Sequence, residues 1–254
     1  MRMQYSLVIP AHNEADNLPP LLAEIAALPP FRRPAEIILV DDASEDETAA
    51  VMAGLVAANP RLRLLRLPRR SGQSAAMLAG ARAARSPWVA TIDADGENDP
   101  ADLPPMIELA IASGADLVGG LRRERKSSGS KQLASHIANG LRRRVLKDGC
   151  SDSACGLKLV RRDLLLRLPS FNGMHRFLPA LVQIAGGHTR FIGVNDRPRR
   201  HGRSNYDNLG RAARGLIDMA GVLWLKRRGL AAAVAAAEEA ARIEEPRIRA
   251  GRHS

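Results

Sequence analysis

Four acidic side chains fall within seven residues of the segment IDADGENDP, directly after the apolar run WVATI. They are Asp93, Asp95, Glu97 and Asp99. In a chain whose formal net charge is +11, this crowding indicates either a solvated turn or a site for a cation. Hard divalent cations such as Mg²⁺ or Mn²⁺ bind through one or two carboxylates together with substrate phosphates. We therefore predict that Asp93 and Asp95 are metal ligands in a site that binds a diphosphate.

Polar segments follow three apolar runs of the chain. HNE follows YSLVIPA, DDASED follows EIILV, and DADGEND follows WVATI. Segments with helical periodicity lie between the runs, and this alternation of strand and helix predicts a parallel sheet with helices on both faces. Ligands of such sheets bind beyond the carboxyl ends of the strands. The three polar segments are therefore expected to converge on one rim of the sheet.

The pattern changes at about residue 121, where the basic segment LRRERKSSGSKQ predicts a loop. Shorter strand and helix patterns follow, and the chain has helical character again from about residue 208. We predict an α/β fold with a mixed, mainly parallel sheet flanked by helices, and a helical C-terminal tail. The predicted units are a catalytic domain at 1–207 and a basic helical tail at 208–254.

Composition narrows the class of protein. The two cysteines, Cys150 and Cys155, are too few for a disulfide framework or a zinc site. We find no secretory segment and no run of about 18–20 apolar residues, and we expect a cytoplasmic protein. The excess of basic residues after residue 100 favours an anionic ligand or surface. Aromatic residues make up only 3% of the chain, which disfavours a nucleic acid as partner because bases stack on aromatic side chains.

Four segments together resemble the family 2 glycosyltransferases, whose GT-A fold is a Rossmann-like sheet. They are SLVIPAHNEADNL, EIILVDDASEDETAAV, RSGQSAAMLAGARAA and WVATIDADGENDPADLPPM. The resemblance is to the dolichol-phosphate-mannose and polyprenyl-phosphate branch of that family. It continues through DSACGLKLVRR and RPRRHGRSNYDNLGRAARG to about residue 228. The resemblance implies a UDP- or GDP-linked sugar as donor and inversion at the anomeric carbon.

The resemblance also implies roles for individual residues. Asp95 would be the main metal ligand, Asp93 would hold the ribose or sugar beside it, and Asp42 would contact the base or ribose. Arg200, Arg203 and Ser204 would match a loop of pattern R-x-x-G-x-S-K-Y that closes over the diphosphate. The other residues implied to contact the nucleotide sugar are Pro10, Ala11, Asn13, Glu14 and Glu97.

Two positions depart from the pattern of the family. Glu97 stands where the family usually has Gln, and it adds a negative charge beside the predicted metal. Asn205 stands where the family usually has Lys, so that one expected positive charge is missing, and Arg203 could replace it. The first change could tighten the cation or alter the contact with the sugar.

The acceptor depends on the chemistry around Asp152, which the resemblance places at the acceptor site. A sugar hydroxyl needs a general base, whereas a lipid phosphate is already anionic near pH 7 and needs cations that orient it. Arg122, Arg125 and Lys126 would supply those cations. We therefore predict transfer to a polyprenyl phosphate. The alternatives are a soluble family 2 transferase with Asp152 as general base and, with less support, a nucleotidyltransferase.

The helical tail raises the question of membrane binding. Its apolar residues Leu216, Trp224 and Leu225 lie among Arg211, Arg214, Lys226, Arg227 and Arg228. This mixture fits a helix that lies on anionic lipid at the inner face of the cell membrane. In the alternative, the helix packs on the domain or forms a homo-oligomer.

Overall fold

The computed structural model describes residues 3–123, 140, 142–199 and 208–228. Seven strands form one sheet. They are β1 (Tyr5–Ala11), β2 (Glu36–Asp41), β3 (Leu62–Arg66), β4 (Trp88–Thr91), β5 (Leu117–Arg122), β6 (Lys158–Arg161) and β7 (Thr189–Val194). The order across the sheet is β3-β2-β1-β4-β6-β5-β7. Of these strands β6 alone is antiparallel to its neighbours, β4 and β5. The mixed, mainly parallel sheet predicted from the sequence is confirmed.

Helices connect the strands and cover the sheet. They are α1 (Leu18–Ala27), α2 (Thr48–Ala58), α3 (Gln73–Ala83), α4 (Leu103–Ser113), α5 (Arg162–Arg167), α6 (Leu178–Ile184) and α7 (Asn208–Arg228). Single 3₁₀ turns lie at Pro30–Arg32, Pro100–Asp102 and Met174–Arg176. The alternation of strand and helix up to β5 follows the predicted pattern.

The central strands are continuous apolar runs because helices cover both faces of the sheet. Alternate residues of β1 point to opposite faces, so that Leu7 and Ile9 belong to one core cluster and Val8 to the other. Gly80 of α3 lies on the Val8 side, and a Cβ there would be 2.3 Å from Val8 Cγ1. The missing side chain therefore lets α3 approach β1 closely.

The carboxyl ends of β1, β2 and β4 meet at one rim, as predicted from their polar segments. The backbone N–H of Glu45, after β2, donates to Asn13 Oδ1, after β1, at 2.9 Å. Because β6 runs in the opposite direction, its first residue, Lys158, pairs with Thr91, the last residue of β4. The segment just before β6 is thereby brought to the same rim.

The helix α7 has one face against the body of the protein and one exposed face. Val222 is buried in the second core cluster, and Lys226 Nζ donates to the carbonyl of Leu146. Leu216, Ile217 and Trp224 are exposed by 55%, 72% and 60% on the other face. Leu225, predicted for the membrane-facing side, instead packs against the core because it lies three residues after Val222. Within the residues described, no helix is long and apolar enough to cross a membrane.

Candidate active site

Three other residues at the rim determine the position of the Asp93 carboxylate. A Cβ at Gly156 would lie 2.1 Å from Asp93 Oδ2, so glycine at this position leaves room for the carboxylate. Thr91 Oγ1 donates to the Gly156 carbonyl at 2.7 Å and fixes the distance between the two segments. Gln73, the first residue of α3, donates from Nε2 to Asp93 Oδ1 at 2.7 Å.

The acidic turn after β4 is held by its own side chains. Gly96 has a φ of 76°, in the left-handed region that favours glycine. Asp95 Oδ1 accepts from the backbone N–H of Glu97 at 3.1 Å, and Asn98 Oδ1 accepts from that of Asp93 at 3.4 Å. Asp95 is buried, and Glu97 is half-buried. The turn therefore brings the carboxylates together away from bulk water.

This crowding alters the ionisation of the acids. Burial, with the nearby charge of Asp95, raises the pKa of Asp93 to about 7, against the opposing effect of Lys158. Burial also raises the pKa of Glu97, with Asp95 again the largest charge that raises it. The negative charges at the rim therefore destabilise one another in the absence of a cation.

Arg199 forms an ion pair with Asp95. Its Nη2 donates to Asp95 Oδ2 at 2.6 Å, and its Nε lies 3.6 Å from Glu97 Oε1. That Nε is buried and has no hydrogen-bond partner in the part of the chain that the structure describes. Arg199 follows β7 by five residues, at the start of the predicted diphosphate loop. A side chain from the far edge of the sheet thus partly neutralises the acidic turn.

The donor set at this turn fits a hard divalent cation. Asp93 and Asp95 offer oxygen ligands from one turn, and their mutual repulsion is the kind that a bound cation relieves. In the described part of the chain, no group of three or more His, Cys, Asp or Glu side chains is arranged to hold a metal together. Mg²⁺ and Mn²⁺ sites of this type take their remaining ligands from water and substrate phosphates.

Asp152 and Arg122 form a bidentate ion pair at the rim. Arg122 Nε donates to Asp152 Oδ2 at 2.6 Å, and Arg122 Nη2 donates to Asp152 Oδ1 at 2.8 Å. Arg122 is 9% exposed and also lies 3.9 Å from Asp196. The sequence predicted Arg122 as a ligand of the acceptor phosphate and Asp152 as an alternative base. In the structure these two side chains bind each other, and both predicted roles stay predictions.

The residues predicted to contact the nucleoside lie near the carboxyl ends of β1 and β2, where loop backbone holds Asp42. Both oxygens of Asp42 accept from backbone N–H groups, of Ser71 at 2.6 Å and of Gly72 at 2.7 Å. Asn13 has a φ of 58°, which turns the chain after β1 toward this site. Pro10 and Ala11 end β1 beside it. Asp42 therefore positions the loop before α3, and its predicted contact with the base or ribose stays a prediction.

Residues 6–168 match the sequence profile of Glycosyl transferase family 2. The chain belongs to this family. The resemblance predicted from the motifs is confirmed, and so is the α/β fold that it implied. The unit boundary at residues 207 and 208 lies outside this match and stays a prediction.

Characterised relatives of this family 2 glycosyltransferase are named for polyprenyl phosphates. The dodecaprenyl-phosphate galacturonate synthase of Rhizobium johnstonii is 34% identical over 230 residues, which are 89% of this chain and 68% of that protein. The undecaprenyl-phosphate 4-deoxy-4-formamido-L-arabinose transferase of Edwardsiella ictaluri is 35% identical over 204 residues, which are 79% of this chain and 62% of that protein. The chain thus spans about two thirds or less of the length of these relatives.

Solved structures share the fold at lower identity. Glucosyl-3-phosphoglycerate synthase from Mycobacterium tuberculosis, solved with Mg²⁺ and UDP, has a TM-score of 0.67 at 21% identity over 89% of this chain and 80% of that one. Mannosyl-3-phosphoglycerate synthase from Rubrobacter xylanophilus has the same TM-score and identity over 89% and 75%. These likenesses establish the fold of the family 2 glycosyltransferase.

Sequence reasoning missed three residues of the site, Gln73, Gly156 and Arg199. The sequence could have identified Arg199, because Arg199 and Gly202 match the spacing R-x-x-G. The prediction assigned the Arg of this motif to Arg200. Gly156 ends the recognised D-x-x-x-G motif, but its contact with Asp93 joins residues 63 positions apart. No local signal marked Gln73. Five residues of the predicted site lie outside the described residues, namely Arg125, Lys126, Arg200, Arg203 and Ser204.

Proposed function

We propose that this family 2 glycosyltransferase moves a sugar from a nucleoside-diphosphate sugar to a polyprenyl phosphate, with inversion at the anomeric carbon. The proposal is carried by the carboxylates of Asp93 and Asp95, which are crowded together at the exit of β4. The similarity to enzymes named for dodecaprenyl and undecaprenyl phosphate supports this acceptor.

Asp95 and Asp93 would hold a divalent cation, Mg²⁺ or Mn²⁺. When bound, this cation neutralises charge on the leaving diphosphate. The protein's own contribution is to fix the two carboxylates. Gln73 donates to Asp93 and Gly156 leaves room for it, and the N–H of Glu97 orients Asp95. Such positioning of reactants accounts for much of the rate gain in group transfer.

The acceptor needs orientation rather than activation. An oxygen of the lipid phosphate attacks the anomeric carbon, and the bond from that carbon to the diphosphate oxygen breaks on the opposite face. Because this phosphate is anionic near neutral pH, no base has to remove a proton, and Asp152 can remain paired with Arg122. Because the charge of Arg122 is then balanced by Asp152, Arg125 and Lys126 are proposed to supply the positive charge that orients the lipid phosphate.

The same acceptor places the enzyme at a membrane. We propose that it is peripheral on the inner face of the cell membrane and that the exposed apolar face of α7 lies in the lipid interface. Leu216, Ile217 and Trp224 form that face, and the basic residues Arg214, Arg227 and Arg228 lie on the same helix. An amphipathic helix with this composition binds anionic lipid through both apolar burial and charge.

The test is an acceptor panel with purified protein in Mn²⁺ or Mg²⁺ and a set of UDP- and GDP-sugars. Release of UDP or GDP is measured with polyprenyl phosphate, with soluble sugars, and with no acceptor. The proposal predicts release that depends on polyprenyl phosphate. Release with a sugar hydroxyl acceptor alone would replace it with the soluble transferase, for which Asp152 would have to leave Arg122 and act as a base.

A further inference from the structure

Both oxygens of Asp95 have partners within the protein. Oδ1 accepts from the backbone N–H of Glu97, and Oδ2 accepts from Arg199 Nη2. Each oxygen keeps a second lone pair for a cation, but a cation on the Oδ2 side meets the positive charge of Arg199. The N–H of Glu97 belongs to the turn at Gly96 and cannot move alone. The guanidinium of Arg199 is at the end of a long side chain that is 25% exposed. It is therefore the partner of Asp95 that can move away.

A divalent cation bound at Asp95 would repel Arg199 from its present position. Two positive groups that share one carboxylate oxygen repel each other strongly at a site of reduced dielectric constant. Its Nε lies 3.6 Å from Glu97 Oε1 and has no hydrogen-bond partner among the described residues, so the ion pair with Asp95 leaves part of the guanidinium without a hydrogen bond. A diphosphate offers what this position lacks, since guanidinium binds phosphate oxygens in bidentate geometry.

We infer that Arg199 is an internal counter-ion that couples cation binding to donor binding. In the chain without donor, Arg199 holds Asp95 and keeps the affinity for a divalent cation low. A nucleoside-diphosphate group draws Arg199 away from Asp95, and the cation then binds. This inference rests on the proposed function, because it requires a cation and a diphosphate to share the rim.

The direct test is binding of Mn²⁺ alone, followed by loss of the electron paramagnetic resonance signal of free Mn²⁺. Arg199→Gln removes the competing charge and is expected to bind Mn²⁺ about tenfold more tightly than the wild type, a typical size for coupling between two sites. Arg199→Lys keeps the charge and is expected to stay closer to the wild type. A Mn²⁺ affinity of Arg199→Gln that is equal to or weaker than that of the wild type would overturn the inference.

Arg197→Gln is the matched control. It removes the same charge from the same segment, but Arg197 pairs with Glu24 at 2.7 Å and with Asp99 at 2.5 Å rather than with Asp95. Its Mn²⁺ affinity is expected to equal that of the wild type. An increase as large as that of Arg199→Gln would show a general effect of charge and would contradict the inference.

A second measurement separates this inference from the proposed function. Mn²⁺ binding is repeated with UDP or GDP and corrected for the Mn²⁺ that the nucleotide alone binds. The nucleotide should strengthen Mn²⁺ binding more in the wild type than in Arg199→Gln. Equal strengthening in a chain that transfers sugar to polyprenyl phosphate would reject the coupling and leave the function intact. No Mn²⁺ binding in any condition, together with no transfer, would reject both.

Discussion

At the scale of single residues, the site depends on contacts that join distant segments. Asp93 is supported by Gln73 from one side and by Gly156 from the other. Neither contact involves a neighbour in sequence, and each restricts where the carboxylate can lie. The chemistry proposed for the enzyme therefore depends on a few ångströms of space at the exit of β4.

Gly156→Ala tests whether activity depends on the space that Gly156 leaves for the Asp93 carboxylate. The new Cβ would lie 2.1 Å from Asp93 Oδ2, so that the carboxylate must move. We expect a loss of about a hundredfold in kcat/KM for sugar transfer, the size of effect that a misplacement of about 1 Å produces. Gly54→Ala in α2 adds the same methyl group where no atom lies within 4 Å and should leave kcat/KM unchanged. Full activity of Gly156→Ala would show that sugar transfer does not depend on this position of the Asp93 carboxylate.

The raised pKa of Asp93 predicts that the stability of the protein depends on pH once a chelator has removed bound metal. Its folded-state pKa of about 7 lies above the ordinary aspartate value of 3.8, so the folded state holds this proton more tightly than the unfolded state does. The free energy of unfolding should therefore fall as pH rises from about 4 to about 7. Asp93→Asn should flatten this part of the profile, as measured by urea unfolding. An unchanged slope would contradict the assigned burial.

At the scale of elements, the sequence predicted the strands and helices up to β5 because each is a local pattern. Continuous apolar runs marked β1 and β2, and polar segments marked their carboxyl ends. The position of β6 between β4 and β5 was not predictable in this way, since it depends on pairing between Thr91 and Lys158, far apart in the chain. The joining of Arg122 to Asp152 and the arrival of Arg199 at Asp95 are long-range contacts of the same kind.

The close contact of α3 with β1 gives a prediction for stability. Gly80→Ala would place a Cβ 2.3 Å from Val8 Cγ1 in a fully packed core. Overpacking of this kind costs about 1–3 kcal/mol, so we expect the free energy of unfolding in urea to fall by that amount. The Gly54→Ala chain serves again as control, because alanine favours a helix and meets no atom there. A stability equal to the wild type would show that α3 can shift freely on the sheet.

At the scale of the whole molecule, the proposed function requires the rim and the helix α7 to act on the same lipid substrate. α7 packs on the core through Val222 and leaves Leu216, Ile217 and Trp224 exposed. Exposed apolar side chains grouped on one helix face are typical of an interaction surface. The proposed acceptor, whose prenyl chain lies in the bilayer, gives this face a membrane as its partner.

Replacement of Leu216, Ile217 and Trp224 together by Ser should abolish most binding to vesicles that contain anionic lipid, because it removes the apolar area that would be buried. Co-sedimentation with vesicles at low and moderate salt measures the effect. The control replaces two other exposed apolar residues, Phe31 and Ile111, by Ser. Equal losses in both variants, or no loss in the α7 variant, would exclude α7 as the membrane contact.

The most direct test of the central claim is the transfer of labelled sugar from its nucleoside diphosphate into polyprenyl phosphate by the wild type and by Asp95→Asn, in Mn²⁺. Asn keeps the shape of the side chain but loses the charge that would hold the cation. We predict lipid-linked label with the wild type and none above background with Asp95→Asn. Transfer at equal rates by both would contradict the assignment of this rim as a cation-dependent sugar-transfer site.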